Sequence, residues 1–278
     1  MNIYDRLREL KNIKDGYLRW KDYREELTEY IISSIGYSKR LAIYGAGRCA
    51  DIDLAALQKH NVKITLLDND ISAMKDAVEF YNVKNVDIIY KDFLGIDDES
   101  YRMYSDELNY IINVNSTVDI SKLAESAIFM LNGMYESAFL NTPQFGEGIY
   151  DVSVCAGVCS QINNMAAWIW DVFAKSFNIK DESVYRLISE NNNKAVKVFH
   201  DAILKSVNDS AIFVNEWLRC GMDSYVEGAY QAISDIVSRK NMYDYNEEIL
   251  YWKFDEPNNV KYKMLLQHLK KKNRRSDI

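Results

Sequence analysis

Apolar residues along this chain fall into two spacings. Short apolar runs recur at residues 41–44 (LAIY), 64–67 (ITLL) and 86–90 (VDIIY). Each of the first two is followed by a stretch whose apolar residues return every three or four positions. A short apolar run bounded by turn formers is the pattern of a strand buried on both faces, and the wider spacing is one face of a helix. Residues 52–58 have helical spacing, as do Ile71, Met74, Ala77, Val78 and Tyr81. The order strand–helix–strand–helix–strand predicts a parallel, doubly wound α/β sheet with right-handed crossovers.

The pattern continues less evenly. Residues 95–118 are the least legible: Asp97, Asp98 and Glu99 read as a solvated turn, and residues 110–114 fit a strand or a helix. Ser116 to Asp119 looks like a helix start, with Ile120, Leu123, Ala127, Met130, Leu131 and Met134 as its buried face. Residues 151–158 alternate as a fourth strand. Met165, Trp168, Ile169, Val172, Phe173 and Phe177 mark an apolar helix, and Ala195, Val198, Phe199, Ala202, Ile203 and Ser206 another. Residues 211–214 predict a fifth strand ending in Asn215-Glu216-Trp217, and Val226, Ala229, Tyr230, Ile233 and Val237 a further helix. Residues 249–254 (ILYWKF) and 260–266 (VKYKMLL), split by Asp255-Glu256-Pro257-Asn258-Asn259, predict a closing β-hairpin.

Ahead of the first strand, residues 1–36 read as helical, with Trp20, Tyr23, Leu27, Tyr30 and Ile31 on one face. This segment has no core of its own. It is either a structural cap, the favoured reading, or a lid with Tyr17, Trp20 and Tyr23 facing a substrate.

Composition narrows the classes. The chain has 278 residues, 48% apolar and 27% charged, enough for a large buried core. A net charge of −7 argues against a broad grip on nucleic acid. The basic run at residues 270–275 (KKKNRR) reads as a solvated tail. Cys49, Cys155, Cys159 and Cys220 form no CxxC pair, and His60, His200 and His268 are scattered, so no metal site is expected. Cys155 and Cys159 read as small buried hydrophobes, and His60 and His200 as surface or core residues. The first ten residues lack an apolar signal core, and no run approaches the ~18 apolar residues of a membrane span. The expectation is a reduced, cytoplasmic protein without membrane contact, in which the sequons at Asn115 and Asn208 carry no meaning. An oligomer stays open.

The chemistry concentrates at residues 40–70. Gly45-Ala46-Gly47 breaks the first strand, where glycines let the backbone bend and lie against a ligand. The next helix points its N-terminus at whatever sits there. Asp68 closes the second strand 23 residues after Gly45, and a carboxylate so placed accepts both hydroxyl hydrogens of a ribose. A bare glycine turn occurs in α/β proteins without any ligand. Strand, turn, helix, strand and acid together point to a nucleoside.

In this order and spacing, residues 37–268 resemble the class I S-adenosylmethionine-dependent methyltransferases. The resemblance rests on Gly45-Ala46-Gly47 after the first strand, Asp68 ending the second, Lys91-Asp92-Phe93 ending the third, and the closing hairpin. It implies a Rossmann-like domain over residues 37–278 with a helical cap over 1–36. Its sheet would have seven strands, the last-but-one position being an antiparallel strand from the hairpin. It implies S-adenosyl-L-methionine as cofactor and a small-molecule acceptor methylated by in-line transfer. Gly45, Ala46 and Gly47 would lie against the methionine part and Asp68 on the ribose, flanked by Asn69 and Asp70. Asp92 would accept from the adenine amino group, with Phe93 on the ring. Cys155 and Ala156 would border the reacting methyl, and Gln161 would stand at the mouth of the acceptor pocket.

Two departures matter. The family often has an acid where this chain has Ile43; Asp51 or Asp53 could supply a carboxylate from the helix instead. The fourth strand ends Cys155-Ala156-Gly157-Val158, without the Asn/Asp-Pro-Pro-aromatic pattern of several amino-group methylases, which argues against a nucleobase or glutamine acceptor. Glu216 is the candidate base, because ligands gather at the carboxyl ends of strands; a loop carboxylate is the competing reading. Trp217 and Tyr150 line a pocket or simply pack. Two other functions remain. One is an NAD(P)-dependent oxidoreductase using GAGRCA as GxGxxA with Asp68, weakened by the missing second mononucleotide half. The other is an inactive methyltransferase-like binding protein, kept open by Ile43.

Overall fold

The computed structural model describes residues 2–10, 15–114, 120–221, 224–226 and 228–272. In chain order they form α1 (Ile3–Leu10), α2 (Gly16–Arg19), α3 (Lys21–Ile35), β1 (Arg40–Tyr44), α4 (Leu54–Gln58), β2 (Lys63–Asp68), α5 (Ile71–Phe80), β3 (Asp87–Tyr90), α6 (Asp98–Val114) and α7 (Ile120–Leu140). There follow β4 (Tyr150–Ala156), a 3₁₀ turn (Cys159–Gln161), α8 (Asn164–Ser176), α9 (Ser183–Ser206), β5 (Val207–Arg219), β6 (Ser224–Tyr225), α10 (Ala229–Ser238), β7 (Tyr243–Asp255) and β8 (Val260–Lys271). Contacts divide the chain into two compact units. One gathers Met1–Lys14, Asp92–Pro143 and Gln161–Val198; the other gathers Asp15–Lys91, Gln144–Ser160 and Phe199–Ile278. The N-terminal residues read as one cap are thus shared: α1 counts with the first unit, α2 and α3 with the second.

The second unit holds the whole sheet. Its order is β3-β2-β1-β4-β5-β8-β7, with the short β6 paired onto β5. Strands β1 to β5 run parallel, and β8 runs antiparallel to both β5 and β7. This is a Rossmann-like, doubly wound, mostly parallel sheet closed by a C-terminal antiparallel hairpin. The register explains the core: Ile43 pairs with Leu66 on one side and Val154 on the other. Leu41, Ile43, Ile64, Leu66, Val152, Val154, Ile212, Val214 and Leu266 then share one buried cluster with Leu27 and Ile31 of α3, Leu54 of α4 and Met74 of α5. Burial of such side chains contributes roughly 1.5–3 kcal/mol each before chain entropy is set against it.

The first unit is helical. Tyr104, Leu108, Leu123, Leu131, Tyr135, Ile169, Trp170 and Phe173 form its core. At its edge Tyr4 of α1 stacks on Tyr101 of α6, ring centroids 5.7 Å apart and 4° from parallel. Among the described residues no helix is long and apolar enough to cross a membrane.

The structure corrects several sequence expectations. Asp97 does not open a solvated turn; its Oδ1 accepts from Ser100 N at 2.8 Å and from Ser100 Oγ at 2.7 Å, and so starts α6, which turns residues 110–114 into helix. The helix start read at Ser116 to Asp119 lies outside the described residues. The fifth strand is far longer than residues 211–214, because β8 pairs with it from Ser210↔Lys270 to Arg219↔Tyr262. Lys270 and Lys271 extend β8 rather than begin a tail, and the Lys271 ammonium donates to the Val207 carbonyl.

The β-hairpin is anchored by Trp252, 6% exposed. Its ring stacks on Tyr23 at 4.9 Å and meets Trp20 edge-on at 4.8 Å. Trp252→Ala should cost roughly 3–5 kcal/mol in urea unfolding. A loss below about 1 kcal/mol would mean these rings add little to stability.

Candidate functional site

The site begins where β1 ends. Gly45 takes φ +70°, and the amides of Gly45 and Ala46 both donate to the Leu67 carbonyl, at 2.9 and 3.2 Å. The bend is therefore stitched to β2. Asp68 completes the join: its Oδ2 accepts from Gly47 N and its Oδ1 from Asp70 N, each at 2.9 Å. Asp70 in turn caps α5 by accepting from Ala73 N at 2.9 Å. Burial pushes the Asp68 carboxyl up, against the pull of the Asp70 and Gly47 amides. Each oxygen keeps lone-pair capacity for a further donor. Asn69, between the two acids, is exposed.

The Gly45 bend is not bare. A Cβ built on Gly45 would lie 2.1 Å from Val158 Cγ2, so a side chain from the turn after β4 rests on that α-carbon. A Cβ on Gly47 would meet nothing within 4 Å. The open part of the bend is thus its Gly47 side.

Helices α2 and α3 clamp the loop that follows. Arg24 Nη1 donates to the Tyr17 carbonyl at 2.7 Å and the Ala50 carbonyl at 3.0 Å. The Tyr81 hydroxyl donates to the Cys49 carbonyl at 2.9 Å, and that of Tyr17 to the Arg48 carbonyl. A Cβ on Gly16 would stand 3.2 Å from Ala50 Cβ, which leaves little room for a larger residue there. Trp20 is an anchor, its indole nitrogen donating to the Phe254 carbonyl at 2.9 Å. Tyr23, 3% exposed, is buried with its hydroxyl unpartnered. Burial first, then Asp51 and Glu216, push that hydroxyl's pKa well up, so both acids lie within electrostatic reach of it.

Glu216 is 6% exposed near the end of β5. The β5–β8 register breaks between Glu216 and Leu218, the kind of irregularity that re-aims a side chain. Ser160 Oγ donates to Glu216 Oε2 at 2.8 Å, while Oε1 lies 3.6 Å from where a Gly157 Cβ would stand. Burial raises the Glu216 carboxyl, and Cys159 and Asp51 add to the rise. Burial likewise pushes Asp51 up to about 6, with Arg24 opposing. Trp217, part-exposed, occupies the register break.

A third cluster was not legible in the sequence. Cys159 Sγ lies 3.3 Å from His200 Nε2, and His200 Nδ1 lies 2.8 Å from Asp235 Oδ2. Arg239 donates to the same carboxylate from Nε at 3.0 Å and from Nη2 at 3.1 Å. The Cys159 thiol is drawn down to about 5 by a hydrogen bond from Cys155 and by His200, against the cost of burial. His200 rises to about 9, its burial outweighed by Cys159 and Asp235. Cys159 is thus hydrogen-bonded to His200, with its thiol drawn down, rather than an inert small hydrophobe, whereas burial pushes the Cys155 thiol up. His200 is fully buried, a core residue as expected, but one held between Cys159 and Asp235. Its partners stand dozens of residues away on either side, so no local motif marks them.

Tyr150 is placed apart from these strand tips. Tyr150 begins β4, at the opposite end from Cys155 and Ala156, which close it; seven residues of strand span about 20 Å. Its ring meets Tyr44 edge-on at 6.4 Å, a packing role. Within the helical unit, Asp92 Oδ1 accepts from Leu94 N and Gly95 N at 2.9 Å each. Phe93 there lines a shallow apolar depression with Leu94, Phe139, Pro143 and Val198. Gln161 ends the 3₁₀ turn and is exposed. Among the described residues no group of three His, Cys, Asp or Glu could hold a metal ion.

In the sheet unit, therefore, Gly47, Asp68, Asp51, Tyr23, Ser160 and Glu216 belong to the carboxyl ends of β1, β2, β4 and β5 and to the segments that follow or cover them. The winding of the sheet reverses between β1 and β4, and that is where doubly wound sheets bind ligands.

No family model matches the sequence. No curated protein matches it either. Among solved structures, the N-methyltransferase NodS from Bradyrhizobium japonicum, in complex with S-adenosyl-L-homocysteine, is similar at 15% identity and TM-score 0.45, covering 98% of this chain and 100% of that one. A TehB-like SAM-dependent methyltransferase from Corynebacterium glutamicum aligns at 11% identity and TM-score 0.38, over 97% and 94% of the two chains. The Thermoplasma acidophilum protein 1320 aligns at 10% identity and TM-score 0.43, over 98% and 99%. With identities and TM-scores this low, function has to be read from this chain's own residues.

Two outcomes test the geometry. Gly45→Ala should cost roughly 1–3 kcal/mol, and Val158→Ala in the same chain should recover the steric part. No recovery would assign the whole loss to the positive φ. Because the folded carboxyl of Asp51 titrates near 6, above its unfolded value, the folded state holds the extra proton between about pH 4 and 6. Stability should fall as pH rises through that window. Asp51→Asn should flatten the fall, by on the order of 2 kcal/mol, in urea titrations across the range.

Proposed function

We propose that this protein is a class I S-adenosylmethionine-dependent methyltransferase that methylates a small-molecule acceptor by in-line displacement. The closing hairpin carries the reading. Strand β8 runs antiparallel between β5 and β7, as the sequence resemblance implied, and a sheet built of two parallel mononucleotide-binding halves has no such strand. That same feature disfavours the nicotinamide alternative.

The residues of the sheet unit fit the cofactor. Asp68 is an acceptor-only carboxylate, oriented by two backbone amides, with lone pairs left for a ribose diol. The Gly47 side of the bend is open where a Cβ would otherwise stand. Gly45, Ala46 and Gly47 would lie beneath the methionine part and Asn69 beside the ribose, with Cys155 and Ala156 as the wall at the tip of β4. S-adenosyl-L-methionine, when bound, supplies a methyl group activated by its attachment to a positively charged sulfur. The chain's own task is then mostly orientation and exclusion of water. Tyr23 and the α2–α3 clamp cover the site. Glu216 holds or takes a proton at Oε1, since Oε2 is occupied by Ser160, and its burial makes it a better base than a solvated carboxylate. Trp217 would border the acceptor.

The contact of Val158 on Gly45 favours a second reading, a methyltransferase-like fold that binds a nucleoside or partner without turnover.

S-adenosyl-L-homocysteine should raise the melting temperature, and NADH should not. A shift with NADH alone would return the case to an oxidoreductase, and no shift with either would favour the non-catalytic reading. Asp68→Ala should weaken S-adenosyl-L-homocysteine binding by the ~1.5–3 kcal/mol of a hydrogen bond to a charged group. Unchanged affinity in calorimetry would remove Asp68 from the site.

A further inference from the structure

The two edges of the sheet are built differently. Strand β3 closes one side with four residues, a short and therefore blunt edge. Strand β7 closes the other with thirteen, Tyr243–Asp255, and among the described residues no strand pairs with its outer side. An edge of that length presents a row of backbone donors and acceptors, which proteins usually blunt with charge, proline or a bulge. In β7 the distortion is confined to one end. The β7–β8 register shifts between Trp252 and Asp255, and the Trp20 indole nitrogen donates to the Phe254 carbonyl at 2.9 Å. From Tyr243 to Trp252 the ladder is unbroken, and β7 contains no proline.

Side chains alternate across a strand. Leu250, Trp252 and Phe254 join the cluster that holds Leu27 and Ile31 of α3. Glu247, Ile249, Tyr251 and Lys253 therefore share the opposite face, and all four are exposed, Ile249 by 42% and Tyr251 by 61%. These four positions are complementary to themselves. A two-fold axis normal to the sheet sets two copies of an edge strand antiparallel and keeps each face on its own side, so pairs spread evenly from the residue on the axis. With the axis at Leu250, Ile249 of each copy faces Tyr251 of the other, and Glu247 faces Lys253. Aromatic against β-branched and opposite charge against opposite charge are favourable cross-strand pairs. Neighbouring axes lose this match. At Ile249, Glu247 faces Tyr251 and Lys253 faces Tyr245. At Glu248 two carboxylates meet, and at Tyr251 the Glu247 carboxylate faces Asp255. The charges select one register rather than forbid pairing. Competing contacts are slight: Lys253 reaches Glu256 at 3.9 Å on the surface, and Glu247 accepts from the Tyr245 hydroxyl on Oε2 alone, at 2.5 Å.

We propose that β7 pairs with β7 of a second copy of this chain, antiparallel about Leu250, so that two sheets join into one. The occupant is a second copy because the strand's charges and apolar side chains match their own two-fold image. The inference does not rest on the methyltransferase reading. The paired segment, Glu247 to Lys253, is short, which places the contact at the weak end of specific interfaces.

The test is sedimentation equilibrium of the full chain. It should show a monomer–dimer equilibrium with a dissociation constant on the order of 1–100 μM. Lys253→Glu and Glu247→Lys each set like charges face to face twice per dimer, and each should weaken dimerisation about tenfold or more. The double variant Glu247→Lys/Lys253→Glu reverses both pairs and should return to within about threefold of the unmodified chain. Both positions are exposed, and circular dichroism checks that each variant folds. Hydrogen exchange needs no variant: outward-facing amides between Glu247 and Lys253 should exchange more slowly as protein concentration rises. A chain that stays monomeric to about 1 mM overturns the proposal. So does a dimer whose dissociation constant ignores the single swaps or is not recovered by the double variant. Concentration-dependent protection elsewhere, with none at these amides, would place the interface on another surface and overturn it as well.

Discussion

The contact on which the rest of the site depends is the pair of hydrogen bonds made by one carboxylate. Asp68 accepts from Gly47 and from Asp70, so a single side chain ties the bend after β1 to the tip of β2 and to the start of α5. Hydrogen bonds to an ionised acceptor contribute ~1.5–3 kcal/mol each, and here they also orient the acceptor. Without them the glycine bend would keep its two bonds to the Leu67 carbonyl but lose its tether to the second strand. A ligand meeting Asp68 meets a group already immobilised, so little ordering entropy remains to be lost.

Around that tether the molecule leaves polar groups buried and incompletely matched. The Tyr23 hydroxyl is buried without a hydrogen-bond partner, whereas Cys159, His200, Asp235 and Arg239 form a chain in which each member answers the next. That chain is self-contained and explains its own burial. The Tyr23 hydroxyl has no such answer. Cys159 touches both worlds: it pairs with His200 and acts on Glu216 through space.

Much of the architecture was legible because buried parallel strands write themselves as short apolar runs and their crossovers as helical stripes. The bend, Asp68 and the hairpin were readable for that reason. Other features were hidden for identifiable causes. The length of β5 comes from pairing with β8, a long-range partner that composition cannot reveal. Helix α6 was obscured because its caps and polar face, Asp97 to Ser100, look like a turn until Tyr101, Tyr104 and Leu108 are seen to be buried together. Tyr150 looked like a pocket residue because only topology tells which end of a strand it occupies. The Cys159–His200–Asp235 chain joins three distant segments, and Val158 on Gly45 depends on how the turn after β4 folds back.

That last contact has an evolutionary consequence. Because the valine methyl occupies the volume a side chain at position 45 would need, the two positions share one small space. Among relatives of this chain they should drift as a couple: a larger residue in the bend tolerated only beside alanine or glycine at 158, and a bulkier residue at 158 only where the bend stays glycine. Such linked columns in an alignment would trace the wall between the first and fourth strand tips without any ligand being known.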